Sequence, residues 1–341
     1  KGVYRNWYDI EIPVHIAEHV DYNMVLWDSN LTQKKLQELD SLFENDGKLK
    51  IFIMNVEAFS TSKGVVFAEK FLNNTLGSNL IGIDESTTIK NPTAKRTKSI
   101  LKIGELAKYR RILTGSPVTK SPLYSFRSRY AHMLDRNFNG RRVQIIGSYR
   151  RLDELTEVLE KFSYRVLKKD CLDLPDKTYM KRIVELTEEQ LKMYATMKQA
   201  ALAESKGKIA STTNAMTQLM RMQQIVCGHV KMDDGSMVEI KSNRINELMS
   251  ALEEVDGKVI IWANYIYDIE KIIQALKKTY GEDSTVAYYG AVDTNTRQKN
   301  IVLYQDENSP VRFFVGNTQT GGYGITLTAA NTVIYYSNGY D

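Results

Sequence analysis

Leu80-Ile81-Gly82-Ile83-Asp84-Glu85 is an apolar run that stops abruptly at two adjacent carboxylates. A strand buried on both faces reads this way, because helices cover both sides of a parallel sheet and leave no polar face to alternate with. At the carboxyl end of such a strand, Asp84 and Glu85 stand where open α/β sheets bind ligands. An acidic pair there suits ATP hydrolysis: the first carboxylate holds Mg2+, directly or through water, and the second orients and polarises the attacking water. Acidic residues at strand ends are also common helix caps and turn formers, and Asp84 or Thr87 could cap a helix starting just after them.

Runs of the same kind recur at 50–56, 111–114, 258–263, 285–289, 311–315 and 332–337. Between two of them, Ile266, Ile269, Ile272, Ile273 and Leu276 fall at helical spacing. This alternation of strand and helix predicts a doubly wound α/β fold. The strands group before about Ser116 and after about Gly257, and the stretch between reads as helical. There, Thr187-Glu188-Glu189-Gln190 has the form of a capping box, Met216, Leu219, Met220 and Ile225 mark a second helix, and Ser242 is placed to cap a third. Residues 203–213 are polar enough for a flexible loop. The resulting division is 1–165, 166–256 and 257–341, and 341 residues exceed what one core ordinarily serves.

A hydrophobic share of 43% and a charged share of 26% are those of a globular chain. No window reaches the roughly 18 consecutive apolar residues of a membrane span, and the first residues lack the apolar centre of a signal peptide, so a cytoplasmic setting is expected. The two cysteines, Cys171 and Cys227, lie far apart and without metal-ligand spacing, which argues against a disulfide framework or a zinc site. The net charge of +5 is mild. Its distribution says more: from Lys95 to Lys169 basic residues outnumber acidic ones, as in Lys108-Tyr109-Arg110-Arg111, Arg141-Arg142 and Arg150-Arg151. Each pair alone reads as a solvated face, but their concentration favours a phosphate-bearing partner.

Two more strand ends carry candidate chemistry. Thr114-Gly115-Ser116-Pro117 makes a tight turn whose hydroxyls can hydrogen-bond a ligand, or a turn and nothing more. Thr318-Gln319-Thr320-Gly321-Gly322-Tyr323-Gly324 offers glycines through which backbone N–H groups approach phosphate closely, and glycine-rich turns are equally often structural.

Taken in order, Asp84-Glu85, Thr114 to Pro117 and Thr318 to Gly324 resemble the motor of superfamily 2 helicases, and within it the Swi/Snf branch. Asn6-Trp7 with Glu11 is similar to that family's early Asn-Trp segment. Ile83-Asp84-Glu85-Ser86-Thr87-Thr88-Ile89-Lys90-Asn91 resembles its acidic box, Leu172-Asp173-Leu174-Pro175-Asp176-Lys177 its Asp-Leu-Pro-x-Lys, and Arg221 to Cys227 its Arg-x-x-Gln-Ile-x-Cys helix. The resemblance implies two RecA-like parallel-sheet lobes with a helical insertion between them, incomplete at both ends. It also implies ATP with Mg2+ in the cleft between lobes and translocation on double-stranded DNA. Asp84 and Glu85 would be catalytic, with Mg2+ on Asp84, and Gly322 and Gly324 would contact nucleotide. Trp7, Thr114, Ser116, Lys120, Thr318, Thr320 and Gly321 would contact nucleic acid. An RNA helicase of the same superfamily and a non-catalytic nucleic-acid clamp are the alternatives.

The chain departs from the pattern in places. No Gly-x-x-x-x-Gly-Lys-Ser/Thr occurs. The resemblance places that loop ahead of Asn6-Trp7 and the arginines of the last motif after Asp341, so this stretch alone is expected to hydrolyse ATP poorly. Ser86-Thr87 stands where the family commonly has Ala-His or Gly-His, and Lys120 where Asn is usual.

Overall fold

In the computed structural model the described residues are 3–74, 78–115, 124–138, 140–206, 212–232, 234–321 and 325–339. They form two compact units, Lys1–Asp176 and Lys177–Asp341. Both are α/β with parallel strands joined by helices, the class expected of RecA-like lobes.

In the first unit β1 (Tyr22–Leu26) pairs in parallel with β2 (Leu49–Ile53), and β3 (Leu80–Ile83) with β4 (Tyr109–Ile112). A parallel pair needs a crossover. Helix Gln33–Asp40 supplies it for the first pair and Lys95–Gly104 for the second, while Ser62–Asn73 links β2 to β3. Thr32 and Thr61 cap two of these helices by accepting from Lys35 N and Gly64 N, which satisfies donors that a helix start leaves open. Phe59, Ala68, Leu72, Ile100 and Ile103 form the core beneath β3, with Ile81 and Ile83 packed against it. The expectation that 80–84 and 111–114 are buried on both faces is not met: Leu80 is 60% and Ile112 62% exposed. Among the described residues β3 and β4 hydrogen-bond only to each other, so helices cover one side of a two-stranded ribbon. The expected strand at 111–114 also starts earlier, at Tyr109, and ends before Thr114. An antiparallel hairpin, β5 (Ala131–Phe138) with β6 (Arg141–Tyr149), was not anticipated from sequence.

The second unit begins with helices Glu188–Lys206 and Thr212–Cys227. The capping box at its start is reciprocal: Gln190 N donates to Thr187 Oγ1 at 3.3 Å and Thr187 N to Gln190 Oε1 at 3.1 Å. Ala203 to Lys206 is helical rather than loop, because the first helix continues past its apolar stripe; 207–211 lie outside the described residues. A small hairpin follows, β7 (His229–Lys231) with β8 (Met237–Glu239). Ser242 does not cap helix Arg244–Glu253 as expected: Asn243 holds the N-cap position without a side-chain capping bond, and Ser242 Oγ, one residue earlier, closes a turn by accepting from Arg244 N at 3.3 Å.

The sheet of this unit is parallel, with β9 (Lys258–Trp262), β10 (Thr285–Tyr288), β11 (Phe313–Gly316) and β12 (Ala330–Tyr335) in the order β10-β11-β9-β12. Side chains alternate along β9, β10 and β11 and so fill both faces, whereas β12, at the edge of the sheet, leaves Val333 47% and Tyr335 61% exposed, so the expectation that 332–337 is buried on both faces is not met. Val259, Ile261, Phe313 and Val315 pack on Leu248, Leu252, Ile269, Ile272 and Leu276 of helices Arg244–Glu253 and Ile266–Tyr280. Ile260, Trp262, Val286, Tyr288 and Phe314 pack on Tyr304 of helix Thr294–Gln305. Among the described residues no helix is long and apolar enough to cross a membrane.

Candidate nucleotide site and its strand ends

Where β3 ends, the chain makes a left-handed step. Glu85 has φ 46° and ψ 51°, a region that costs an L-residue roughly 1–2 kcal/mol. Hydrogen bonds on both sides hold it there: Leu113 N donates to Ile83 O at 2.8 Å, and Ser86 N to Leu113 O at 3.2 Å. Strain kept by its surroundings at a strand end is common where a side chain must be aimed. The preceding carboxylate is fixed on both oxygens. Glu85 N donates to Asp84 Oδ1 at 2.8 Å, and the Trp7 indole Nε1 donates to Asp84 Oδ2 at 2.8 Å.

Trp7 opens a short wide-turn helix, Trp7–Glu11, beside Asn6, whose amide donates to Glu11 Oε1 at 3.0 Å. The Asn-Trp segment therefore reaches the acidic pair across 77 residues of sequence. Sequence reasoning gave Trp7 a nucleic-acid role and missed this contact. The signal available was that a half-buried indole N–H must find an acceptor. Thr114, two residues beyond the end of β4, the strand paired with the one that leads to Asp84, is partly buried. Ser116 and Lys120 lie outside the described residues.

In the second unit the candidate glycine-rich stretch follows β11, and its described part, Thr318–Gly321, is a short helical turn. Asn317, which the sequence reading did not single out, organises it. Its backbone N donates to Tyr288 O at 3.1 Å, its amide Nδ2 to Asn264 O at 2.8 Å, and its Oδ1 accepts from Gln319 N at 2.8 Å. Its carbonyl accepts from Thr320 N at 3.1 Å and Gly321 N at 2.9 Å. An Asn after a strand was the available signal, since its side chain closes such turns. Thr318 and Thr320 remain partly exposed and Gly321 is buried. Two glycines are sterically required: a Cβ on Gly316 would lie 2.6 Å from Tyr288 O, and one on Gly321 2.6 Å from Trp262 Cη2. Gly322 and Gly324 lie outside the described residues.

A buried polar cluster beyond β12 was also not foreseen. His229 Nδ1 lies 3.1 Å from Asp268 Oδ1, Asn264 N donates to Ser337 Oγ at 2.9 Å, and Arg244 Nη1 donates to Tyr336 O at 2.6 Å and Cys227 Sγ at 3.4 Å. It ties the end of helix Thr212–Cys227 to the strand ends. Burial, aided by the Asp268 carboxylate, pushes the Cys227 thiol up to about 12, so this cysteine is an inert packing residue.

Among the described residues no cluster of three or more His, Cys, Asp or Glu could hold a metal. The donors at Asp84 and Glu85 nevertheless fit Mg2+, which takes one or two carboxylates and completes its shell with phosphate and water.

Two family matches divide the chain: the SNF2-related domain covers residues 5–231 and the helicase conserved C-terminal domain residues 241–340. The chain belongs to the SNF2-related family. It is 28% identical over 264 residues to the uncharacterized ATP-dependent helicase MG018 of Mycoplasma genitalium, covering 74% of this chain and 25% of that protein. It is 24% identical over 309 residues to the human SWI/SNF-related matrix-associated actin-dependent regulator of chromatin subfamily A member 1, covering 82% of this chain and 29% of that one. The chain thus spans less than a third of the length of these relatives. The Sulfolobus solfataricus SWI2/SNF2 ATPase core in complex with dsDNA aligns over 98% of this chain and 69% of its own, at 21% identity and a TM-score of 0.41.

Proposed function

We propose that the protein containing this chain is an ATP-driven translocase on double-stranded DNA, and that Asp84 and Glu85 carry its hydrolysis. The observation that supports this best is the fixed acidic pair at the end of β3, with Asp84 held by Trp7 and Glu85 held left-handed. Membership of the SNF2-related family supports the same reading.

In this reading Asp84, its oxygens oriented by the indole and by Glu85 N–H, is the Mg2+ ligand, directly or through one water. Mg2+, when bound, neutralises charge on the phosphates being separated. Glu85 orients the attacking water and takes up its proton. Gly322 and Gly324 bring backbone close to phosphate. Thr114, Ser116, Lys120, Thr318, Thr320 and Gly321 hold the nucleic acid by its backbone, since a motor that travels along many sequences cannot depend on base edges. Trp7 is assigned to orienting Asp84 rather than to nucleic acid. The boundaries 1–165, 166–256 and 257–341 remain the proposed functional division of first lobe, helical linker and second lobe.

The test is steady-state ATP turnover by the full-length protein alone, with duplex DNA and with RNA. Stimulation by duplex DNA is expected. Equal turnover with and without DNA contradicts the translocase, stimulation by RNA alone indicates an RNA helicase, and nucleic-acid binding without turnover indicates a clamp.

A further inference from the structure

The β5–β6 hairpin takes no part in the chemistry above. Between Tyr124 and Arg151 the sequence holds seven arginines, no lysine and a single carboxylate, Asp135. Arginine without lysine suits phosphate, because the planar guanidinium matches two phosphate oxygens at once and is weakly hydrated.

The arginines divide by position. At the base they hold the hairpin in place: Arg129 Nε donates to Glu154 Oε1 at 2.6 Å, Arg150 N to Tyr130 O at 2.9 Å and Arg150 Nε to Arg129 O at 3.2 Å. Arg150, just after β6, joins the ribbon to helix Tyr124–Tyr130, and Arg129 joins that helix to Leu152–Glu160. On the ribbon itself Arg136 is exposed, and Arg142, whose side chain is 80% exposed, is paired among the described residues with Asp135 at 2.5 Å. Such a surface pair contributes little and gives way readily to a stronger anion. By the register, Arg136 pairs with Val143 and Arg142 with Asn137, so the two cations lie on opposite faces of the ribbon. Leu134 and Val143 are 47% and 43% exposed, and a two-stranded ribbon is only marginally stable without something to lie against. A ribbon of this kind is also narrow enough for the DNA major groove, whose walls are phosphate.

We propose that the β5–β6 hairpin is an arm that grips the backbone of duplex DNA, with Arg136 and Arg142 on phosphates apart from the motor's own motifs. The inference rests on the DNA-motor reading above. Asp135 acts as a restraint, holding Arg142 until phosphate displaces it.

The experiment measures binding of the full-length protein to a fluorescein-labelled duplex over a range of salt, beside DNA-free ATP turnover. In the Arg136→Ala, Arg142→Ala double variant, affinity falls by about tenfold, the slope of log K against log salt falls by about 1.8, and DNA-free turnover is unchanged. Asp135→Asn, which frees Arg142, tightens binding about two- to threefold. Unchanged affinity and slope in both variants, with wild-type binding and turnover intact, overturn the hairpin's role and leave the motor reading standing. A loss of affinity without a change of slope also overturns it, because it shows a disturbed fold rather than lost phosphate contacts. No duplex binding by the wild type removes both readings together.

Discussion

The two units hold their strand ends by different means. In the second, β9 and β11 are covered on both faces, and Phe313, Phe314 and Val315 are wholly buried. The short helical turn Thr318–Gly321 is therefore set on a packed base, with Gly316 and Gly321 pressed against Trp262 and Asn317 closing the turn. In the first, β3 and β4 leave Leu80 and Ile112 largely exposed. The acidic pair is instead set by polar contacts, Trp7 on one oxygen of Asp84 and Glu85 N–H on the other, together with a left-handed backbone step. A packed strand end resists change in shape, whereas a hydrogen-bonded one resists change in charge and donor position.

Substitutions separate the two. Phe314→Ala is expected to destabilise the second unit by about 3–5 kcal/mol, and Ile83→Ala, which is only partly buried, the first by roughly half as much. Chemical denaturation of each variant measures this, and equal losses would erase the distinction. Trp7→Phe keeps the ring and removes the donor to Asp84. Its loss lowers the stability of the first unit by about 1.5–3 kcal/mol, the contribution of a hydrogen bond to a charged group, and turnover falls by about tenfold as Asp84 loses its orientation, equivalent to about 1.4 kcal/mol in the barrier. Steady-state kinetics at varied Mg2+ decides it, and an unchanged kcat would show that Asp84 needs no orienting partner.

Cys227 gives the smallest effect. Its thiol keeps its proton in the folded chain up to about pH 12 but releases it near pH 8.5 when unfolded. The unfolded state therefore binds fewer protons between those values, and stability declines as pH rises through them. The hydroxyls of buried Tyr304 and partly buried Tyr336, both raised by burial, act in the same direction above pH about 10. Cys227→Ala should flatten the early part of that decline in melts taken between pH 8 and 10. In native protein a thiol reagent should find exposed Cys171 and miss Cys227.

How far the sequence could be read tracks the same division. In the second unit the apolar runs at 258–263 and 311–315 and the isoleucine spacing of 266–280 gave strands and helix close to where they stand, because burial on both faces leaves a continuous apolar signature. In the first, the run at 80–84 located the acidic pair, yet nothing local to it pointed to Trp7, since contacts between distant segments leave no periodic trace. The hairpin was hidden by its own chemistry: Arg136 interrupts the apolar face that Leu134, Val143 and Ile145 share, and the stretch read as charge rather than strand. Asn317 carries the turn signal of its residue type, but the glycines that follow carry the same signal, so it did not stand out.

The central claim is that Glu85 activates water for ATP hydrolysis while Asp84 serves the metal. Glu85→Gln in the full-length protein, with nucleotide binding and turnover at saturating duplex DNA both measured, tests it directly. The account predicts that ATP still binds and that turnover falls to background. Turnover within about twofold of wild type would contradict it, since a change that small corresponds to less than about 0.5 kcal/mol in the barrier.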